Sequence, residues 1–459
     1  MQVTIGTGGL PPGRRGWAAT AQLLAVAMST LDIAIANTAL PTIAADLHTN
    51  PEASIWIINA YQLALIATAL PFAALGDIIG HKRVFLYGLV VFTAASLACA
   101  CSFSLTTLTI ARIFQGLGGS ALMSVNAALI RFIYPAHKMG RGMGLNVLVV
   151  GTSFAIGPTA ASLILSIGPW PLLFAVNVPL GILSFALGIP MLPATPRAKY
   201  RFDITSALLT MSALGFIVLG LSGAAHASSN KVTAPEIALG IILAAMLLRR
   251  QAHHPAPMLP VDLFKIPIFT LSTITAICSF ATQGLAFVAL PFYLEQGLGR
   301  SQIDTGFLIT PWPIMVALMA TLAGRLSDRY PAGILGGAGL ATLSLGMVSL
   351  ALLPDHPTNI DIIWRMAICG TGFGFFQSPN LKQLMASAPP NRAGGASGII
   401  TVARLMGQTT GAALVALCFF LDDHHGPVLA LGLGAAFAGA ASVASVSRLF
   451  VPLKEVAVR

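Results

Sequence analysis

Charge is scarce in this sequence. Only 9% of its 459 residues are charged, against about 25% in an average soluble domain, and that scarcity excludes an ordinary soluble globular protein. Cysteine is scarcer still. Cys99, Cys101, Cys278, Cys369 and Cys418 all fall in apolar segments, with no spacing of a disulfide framework or zinc site, so they read as packing residues. Histidine is missing from the interior of every apolar segment. His48, His81, His137, His226, His253, His254, His356, His424 and His425 fall in loops or at segment edges, which excludes intramembrane haem or copper ligation. A phosphate-binding Gly-Lys-Ser/Thr loop and a Gly-x-Ser-x-Gly elbow are also missing, so ATP hydrolysis and esterase chemistry have no support. The expectation is a protein that is not an enzyme, with no catalytic residues, no metal and no cofactor.

Apolar length is what the chain has in excess. Hydrophobic residues make up 56% of it and the mean hydropathy is +0.83. Fourteen segments of bilayer-spanning length are predicted, at 17–40, 54–75, 84–103, 105–131, 141–166, 171–193, 204–224, 235–251, 267–294, 303–325, 332–353, 361–386, 393–421 and 427–451. A helical polytopic membrane protein follows, because helices satisfy their own backbone hydrogen bonds in lipid and the alternation of a membrane barrel is absent. The first segment follows Arg14 and Arg15 but is too long for a signal-peptide core and carries Asp32, so it reads as a retained span.

Basic residues test the topology. With both termini cytoplasmic, twenty of the 25 Lys and Arg lie on the inner side, only Lys231 and Arg300 on the outer side, and Arg112, Arg365 and Arg404 within spans. The net charge of +10 is then a topology signal, and nucleic acid is not expected as a partner.

The chain also repeats itself. Asp77 and Asp328, Arg131 and Lys382, and Arg141 and Arg392 are each 251 residues apart, and Arg112 and Arg365 are 253 apart. Two parallel six-span halves are implied, with two further spans between them. The expected organisation is an N-terminal tail (1–16), a first six-helix bundle (17–193), two inserted spans with linkers (194–266), a second six-helix bundle (267–451) and a C-terminal tail (452–459).

Asp32 is the only acid deep within a span. A carboxylate in hydrocarbon costs roughly 3 kcal/mol or more and normally faces water or a partner and relays protons or cations. The alternative is a structural residue bonded to Asn37 or to a neighbouring helix. Arg112 stays protonated and needs a carboxylate, carbonyls or a substrate anion nearby. Gln115 stands beside it, and Gly116, Gly118 and Gly119 permit close helix packing. The turn containing Asp77, Gly80, Lys82 and Arg83 combines an acid, a flexible glycine and a basic cluster, and it suggests a gate of breakable ion pairs, with Asp77 also able to cap a helix terminus. Asp328 and Arg329 form its counterpart. Gly157-Pro158 in the fifth span is a candidate kink or pivot. Asp203 and Asp262 read as solvated ends, and Glu295 and Asp304 as secondary proton-site candidates at the outer mouth.

Together these residues resemble a known set. Leu31-Asp32 through Asn37 to Pro41, Trp56 to Tyr61, the Asp77–Arg83 turn, Arg112-x-x-Gln-Gly-x-Gly, Gly157-Pro158, Phe174-Ala-Val-Asn177-Val-Pro179 and Arg392 to Gly398 followed by Arg404-Leu-Met-Gly407 are similar to the fourteen-span drug:proton antiporters of the major facilitator superfamily. The resemblance covers nearly the whole chain and implies two six-helix bundles plus two inserted helices, in a proton-driven, alternating-access exporter of small, often lipophilic and cationic compounds in the cell inner membrane. It assigns Asp32 and Arg112 to coupling, the Asp77 turn to a gate, and Gly157-Pro158 to the helix associated with antiport. Candidate cavity residues, from spans facing the cavity in that family, are Tyr61, Gln62, Gln115, Asn146, Gln283, Trp312, Arg365, Gln377 and Asn380. Departures include Ala73 at the first gate glycine, Pro331 in its second copy and Ala161-Ser162 in place of a glycine pair. One embedded acid against three embedded arginines leaves neutral or zwitterionic substrates open, and a narrow substrate such as a metabolite or siderophore is the alternative. Expected partners are the bilayer, protons and a small molecule; a periplasmic adaptor and outer-membrane partner cannot be read from sequence.

Overall fold

The computed structural model describes residues 9–49, 51–198, 200–225, 230–251, 259–354, 356–422 and 425–451. The expectations placed on residues 1–8 and 452–459 of the tails, and on His226, His253, His254 and His424, lie outside them. Fourteen long helices are numbered in chain order: α1 Pro12–Asp46, α2 Trp56–Ile79, α3 His81–Ala100, α4 Leu105–Ile133, α5 Met139–Ile167, α6 Asn177–Met191, α7 Ile204–Ala225, α8 Asn230–Gln251, α9 Pro267–Phe292, α10 Pro311–Leu326, α11 Ala332–Ala351, α12 Asn359–Ser387, α13 Ala393–Leu421 and α14 Gly426–Ser447. Among the described residues, twelve helices are long and apolar enough to cross a bilayer. The other two are α12, which carries Asp361, Arg365 and Lys382, and α8, which carries Glu236, Arg249 and Arg250.

Two expected spans are broken. A single turn, Leu172–Ala175, precedes α6, and a short helix, Gln302–Ile309, precedes α10. The second break falls at Thr310, immediately before Pro311, where the missing amide and the ring interrupt an incoming helix. Pro158 causes no such break, and α5 runs unbroken from Met139 to Ile167.

The repeat extends to capping chemistry. Ser104 opens α4 in a capping box with Thr107, and Thr358 opens α12 in a capping box with Asp361, each satisfying amide groups that the first turn leaves free. Within the first half α4 packs on α2 and α3, and α1 on α5 and α6; within the second, α12 packs on α10 and α11, and α9 on α13 and α14. The halves meet along α5 against α10 and α2 against α13. The intervening α7 and α8 pack on each other, and α7 lies against both α2 and α13, with Ala207 on Ala74.

Small residues set these distances. A Cβ on Gly118 would stand 2.7 Å from the Cα of Phe92, and one on Gly88 would stand 2.6 Å from the Cβ of Ala121. Gly339 lies 251 residues beyond Gly88 and is as close to the Gly372 carbonyl, 2.7 Å from an added Cβ. In lipid, where apolar surface gains little from association, such close backbone packing holds helices together. Gly118→Val is therefore expected to destabilise the first half by roughly 1–3 kcal/mol. Thermal unfolding in detergent checks this, with Gly432→Ala, whose added Cβ meets nothing within 4 Å, as the neutral control.

Candidate functional site

The embedded charges converge. Asp32 of α1 and Arg112 of α4 are 2% and 1% exposed and form an ion pair, with Arg112 Nη1 donating to Asp32 Oδ2 at 2.5 Å. Gln115, one turn after Arg112, donates from Nε2 to Asp32 Oδ1 at 2.8 Å, and Asn177 at the start of α6 donates to the same oxygen at 2.8 Å. Arg112 also donates to Gln115 Oε1 at 2.6 Å and to the Ile57 carbonyl at 3.0 Å. Its guanidinium carbon lies 4.3 Å from the ring centre of Tyr61, close enough for a cation–π contact. The two charges of the cluster balance, and three side-chain donors, from Arg112, Gln115 and Asn177, converge on the Asp32 carboxylate. Asn37 is exposed and takes no part.

A second constellation closes the basic end of the molecule. Asp77 Oδ1 accepts from the Gly394 amide at 2.8 Å and Oδ2 from the Gly395 amide at 3.2 Å, the free first-turn amides of α13 in the other half. Asp328 mirrors it. Its Oδ1 accepts from the Gly140 amide near the start of α5 at 3.0 Å and from Lys382 Nζ at 2.8 Å. Arg131 crosses in the other direction, donating to the carbonyls of Met385 at 2.9 Å and Ala388 at 2.8 Å. Gly80 has φ of +99°, a left-handed conformation that suits glycine at the turn between α2 and α3.

Neither Lys82 nor Arg83 pairs with Asp77 in this conformation, in which Asp77 bridges to a helix terminus of the other half. Lys82 donates instead to the carbonyls of Ile189 at 2.6 Å and Leu192 at 3.0 Å, at the free C-terminus of α6. Arg83 and Arg329 are exposed, and only His81 of this turn approaches Asp77, at 3.6 Å. Asp262 is no solvated end, for its two oxygens accept from Arg392 at 2.8 and 2.7 Å, a bidentate pair that a one-dimensional reading of loop charges does not disclose. Asp203 fits its expected place better, accepting from Ser206 and pairing with a half-exposed Arg250 at 3.4 Å.

Between the halves lies a cavity of about 50 Å³. Its polar lining is Asn126, Asn146, Gln377, Ser397, Thr401 and Arg404, against apolar Met123, Met143 and Phe280. Of the candidate cavity residues only Asn146 and Gln377 line it. Gln115 and Tyr61 belong to the Asp32 cluster. Trp312 is fully buried against Phe287 and Phe373, Asn380 holds Arg448 at 2.7 Å, and Gln283 accepts from Gln408 at 2.8 Å. Arg365 lies over Trp364, 4.8 Å from its ring centre, and Gln62 is half-buried. Gly157 packs against Ala34 of α1. Glu295 is exposed and Asp304 bonds Ser301 at its own helix start. Sequence reasoning noted Arg404 as a span arginine and Ser397 within a motif but assigned neither to the cavity, and Asn126 gave no signal.

The Major Facilitator Superfamily profile matches residues 23–412. The chain is 48% identical to "Uncharacterized transporter YebQ" of Escherichia coli (strain K12), over 97% of this chain and 98% of that protein. It is 35% identical to "Riboflavin transporter RibZ" of Clostridioides difficile (strain 630), over 83% of each, and 30% identical to "Multidrug resistance protein Stp" of Mycobacterium tuberculosis (strain CDC 1551 / Oshkosh), over 85% of this chain and 73% of that protein. Among solved structures, the proton:xylose symporter XylE superposes with a TM-score of 0.68 at 14% identity, covering 96% of each chain.

Proposed function

Because the chain belongs to the major facilitator superfamily, whose members are transporters and not enzymes, we propose that it is a proton-coupled exporter of small lipophilic compounds working by alternating access. The buried Asp32–Arg112 pair carries this reading, since it is a titratable acid held within the first half by a cation that a moving helix can withdraw. The name of Stp, a multidrug resistance protein, supports export of toxic compounds. The proposal extends to fourteen membrane-crossing helices, with α8 and α12 as the remaining two, organised as two six-helix bundles with α7 and α8 inserted. Segregated Lys and Arg support a reading in which the Asp77 end and both termini face the cytoplasm of an inner-membrane protein. The arrangement at that end then corresponds to a transporter closed toward the cytoplasm, with Asp77 and Asp328 acting as the gate. No cofactor enters the cycle, because the proton gradient supplies the drive.

A narrower substrate is the second reading, favoured by the name of RibZ, a riboflavin transporter. Both are tested by reconstituting the full chain in liposomes and imposing a pH gradient while following ethidium and riboflavin separately. Gradient-dependent movement of ethidium supports the drug exporter, movement of riboflavin alone supports the narrow transporter, and a gradient that moves neither while the protein is folded removes proton-coupled transport of both.

A further inference from the structure

We propose that the inter-half cavity is an anion site, with Arg404 recognising a carboxylate, sulfonate or phosphate on an otherwise apolar substrate. The proposal rests on the transporter reading for the cavity's use and narrows its substrate class.

Arg404 lines the cavity from α13. Its guanidinium makes no hydrogen bond and no ion pair to any described residue. Arg365 also has guanidinium nitrogens without a partner, but it rests over the Trp364 ring and lines no part of the cavity; two other buried arginines are fully partnered. Arg112 has Asp32, and Arg448 has Asn380, Ser272 and the Ser445 hydroxyl. An arginine keeps its proton at any accessible pH, so an unpaired one inside a membrane protein is costly unless water or a ligand completes it.

Two further donors face the same space. Ser397 lines the cavity, is fully buried, and its hydroxyl has no partner. Asn146 is oriented by a relay in which Gln22 donates to Asn126 Oδ1 and Asn126 Nδ2 donates to Asn146 Oδ1 at 2.9 Å. That relay occupies the Asn146 carbonyl and leaves its NH2 group free toward the cavity. No Asp or Glu lines the cavity among the described residues. The polar wall therefore offers one full positive charge and at least two neutral donors, which is the complement of an anionic headgroup. Met123, Met143 and Phe280 on the remaining surface suit an apolar body.

The test measures equilibrium binding to the full chain in nanodiscs without a proton gradient, so that affinity is read apart from transport. Two xanthene dyes of similar outline serve as probes, anionic fluorescein and cationic rhodamine 123, together with 2-naphthoate and its uncharged amide. Fluorescein and naphthoate are expected to bind at least tenfold more tightly than their counterparts. Arg404→Gln should weaken the anions at least tenfold while leaving the amide unchanged, and Arg404→Lys should restore most of the loss. The unliganded Arg404→Gln protein should melt no lower than wild type, because the substitution breaks no internal hydrogen bond. Ser397→Ala should weaken the anions more mildly, by about threefold. Equal or tighter binding of the cations, absence of any anion binding, or anion affinity indifferent to Arg404→Gln each overturns the proposal. Flux under a pH gradient is scored separately. Cation flux insensitive to Arg404→Gln defeats the anion site and leaves the transporter standing, whereas anion binding without flux does the reverse.

Discussion

Asp32→Asn is expected to abolish proton-coupled flux, lowering it roughly 100-fold in liposomes at equal protein content, while the protein still folds. Asparagine is nearly isosteric and can keep the bonds from Gln115 and Asn177, but it carries no charge for Arg112 and no proton to exchange. Asp32→Asn also leaves Arg112 without its counter-charge and should lower the melting temperature somewhat, although Arg112 keeps its bonds to Gln115 Oε1 and the Ile57 carbonyl; Arg112→Ala is expected to destabilise more. It leaves a buried carboxylate with no counter-charge, which costs roughly 3–5 kcal/mol of stability, so the protein should melt far lower or fail to accumulate. Asp32→Asn combined with Arg112→Gln removes both charges and should recover much of that stability without recovering flux. Thermal melting and flux, measured on all three, separate coupling from scaffolding. If Asp32→Asn transports as wild type does, the proton site lies elsewhere and the coupling assignment falls, while the fold is unaffected.

Asp77→Ala carries the second large effect. Asp77 is buried, and two backbone amides of α13 end on its oxygens. Hydrogen bonds to a charged group contribute about 1.5–3 kcal/mol each, and these two bridge the halves, so their loss acts on the balance between conformations more than on the fold of either half. In a cysteine-free background with Ala127→Cys as reporter in the cavity wall, a membrane-impermeant maleimide applied from the Asp77 side should react at least tenfold faster in Asp77→Ala. Asp328→Ala should give a smaller increase, because one amide of the other half, Gly140, bonds Asp328, against two that bond Asp77. Labelling unchanged in both variants would show that these contacts do not hold that end shut.

Much of the architecture was legible because lipid imposes so few solutions. Segments of sufficient apolar length become helices, and the 251-residue spacing of Asp77 and Asp328 marked the two halves. Asp32 and Arg112 were legible for the same reason, since charges inside spans are rare enough to expect a partner. Their meeting depends on the relative rotation of α1 and α4, and Asn177 joins from 145 residues away, information that no single helix contains. The repeat also misleads if followed too far. Gln283 stands 251 residues beyond Asp32, and Arg365, the counterpart of Arg112, has no buried acid and rests over Trp364, so the second half copies the scaffold without the charge cluster. Cavity residues were the least legible. An amide in a span can face another helix as easily as water, and Asn380 turned to Arg448 while Asn146 turned to the cavity.

The position of α7 bears on how freely the halves can move. It lies against α2 of one half and α13 of the other, over the same seam that the Asp77–Gly394 hydrogen bond spans. Relative motion of α2 and α13 must therefore drag at least one of them across the α7 surface, as a drawer moves against its runner. The Ala74–Ala207 contact is methyl against methyl, with no interdigitated side chain to climb over and no polar bond to break. At that point the inserted hairpin presents a smooth, apolar surface to the seam, with the Phe202 ring packed beside it.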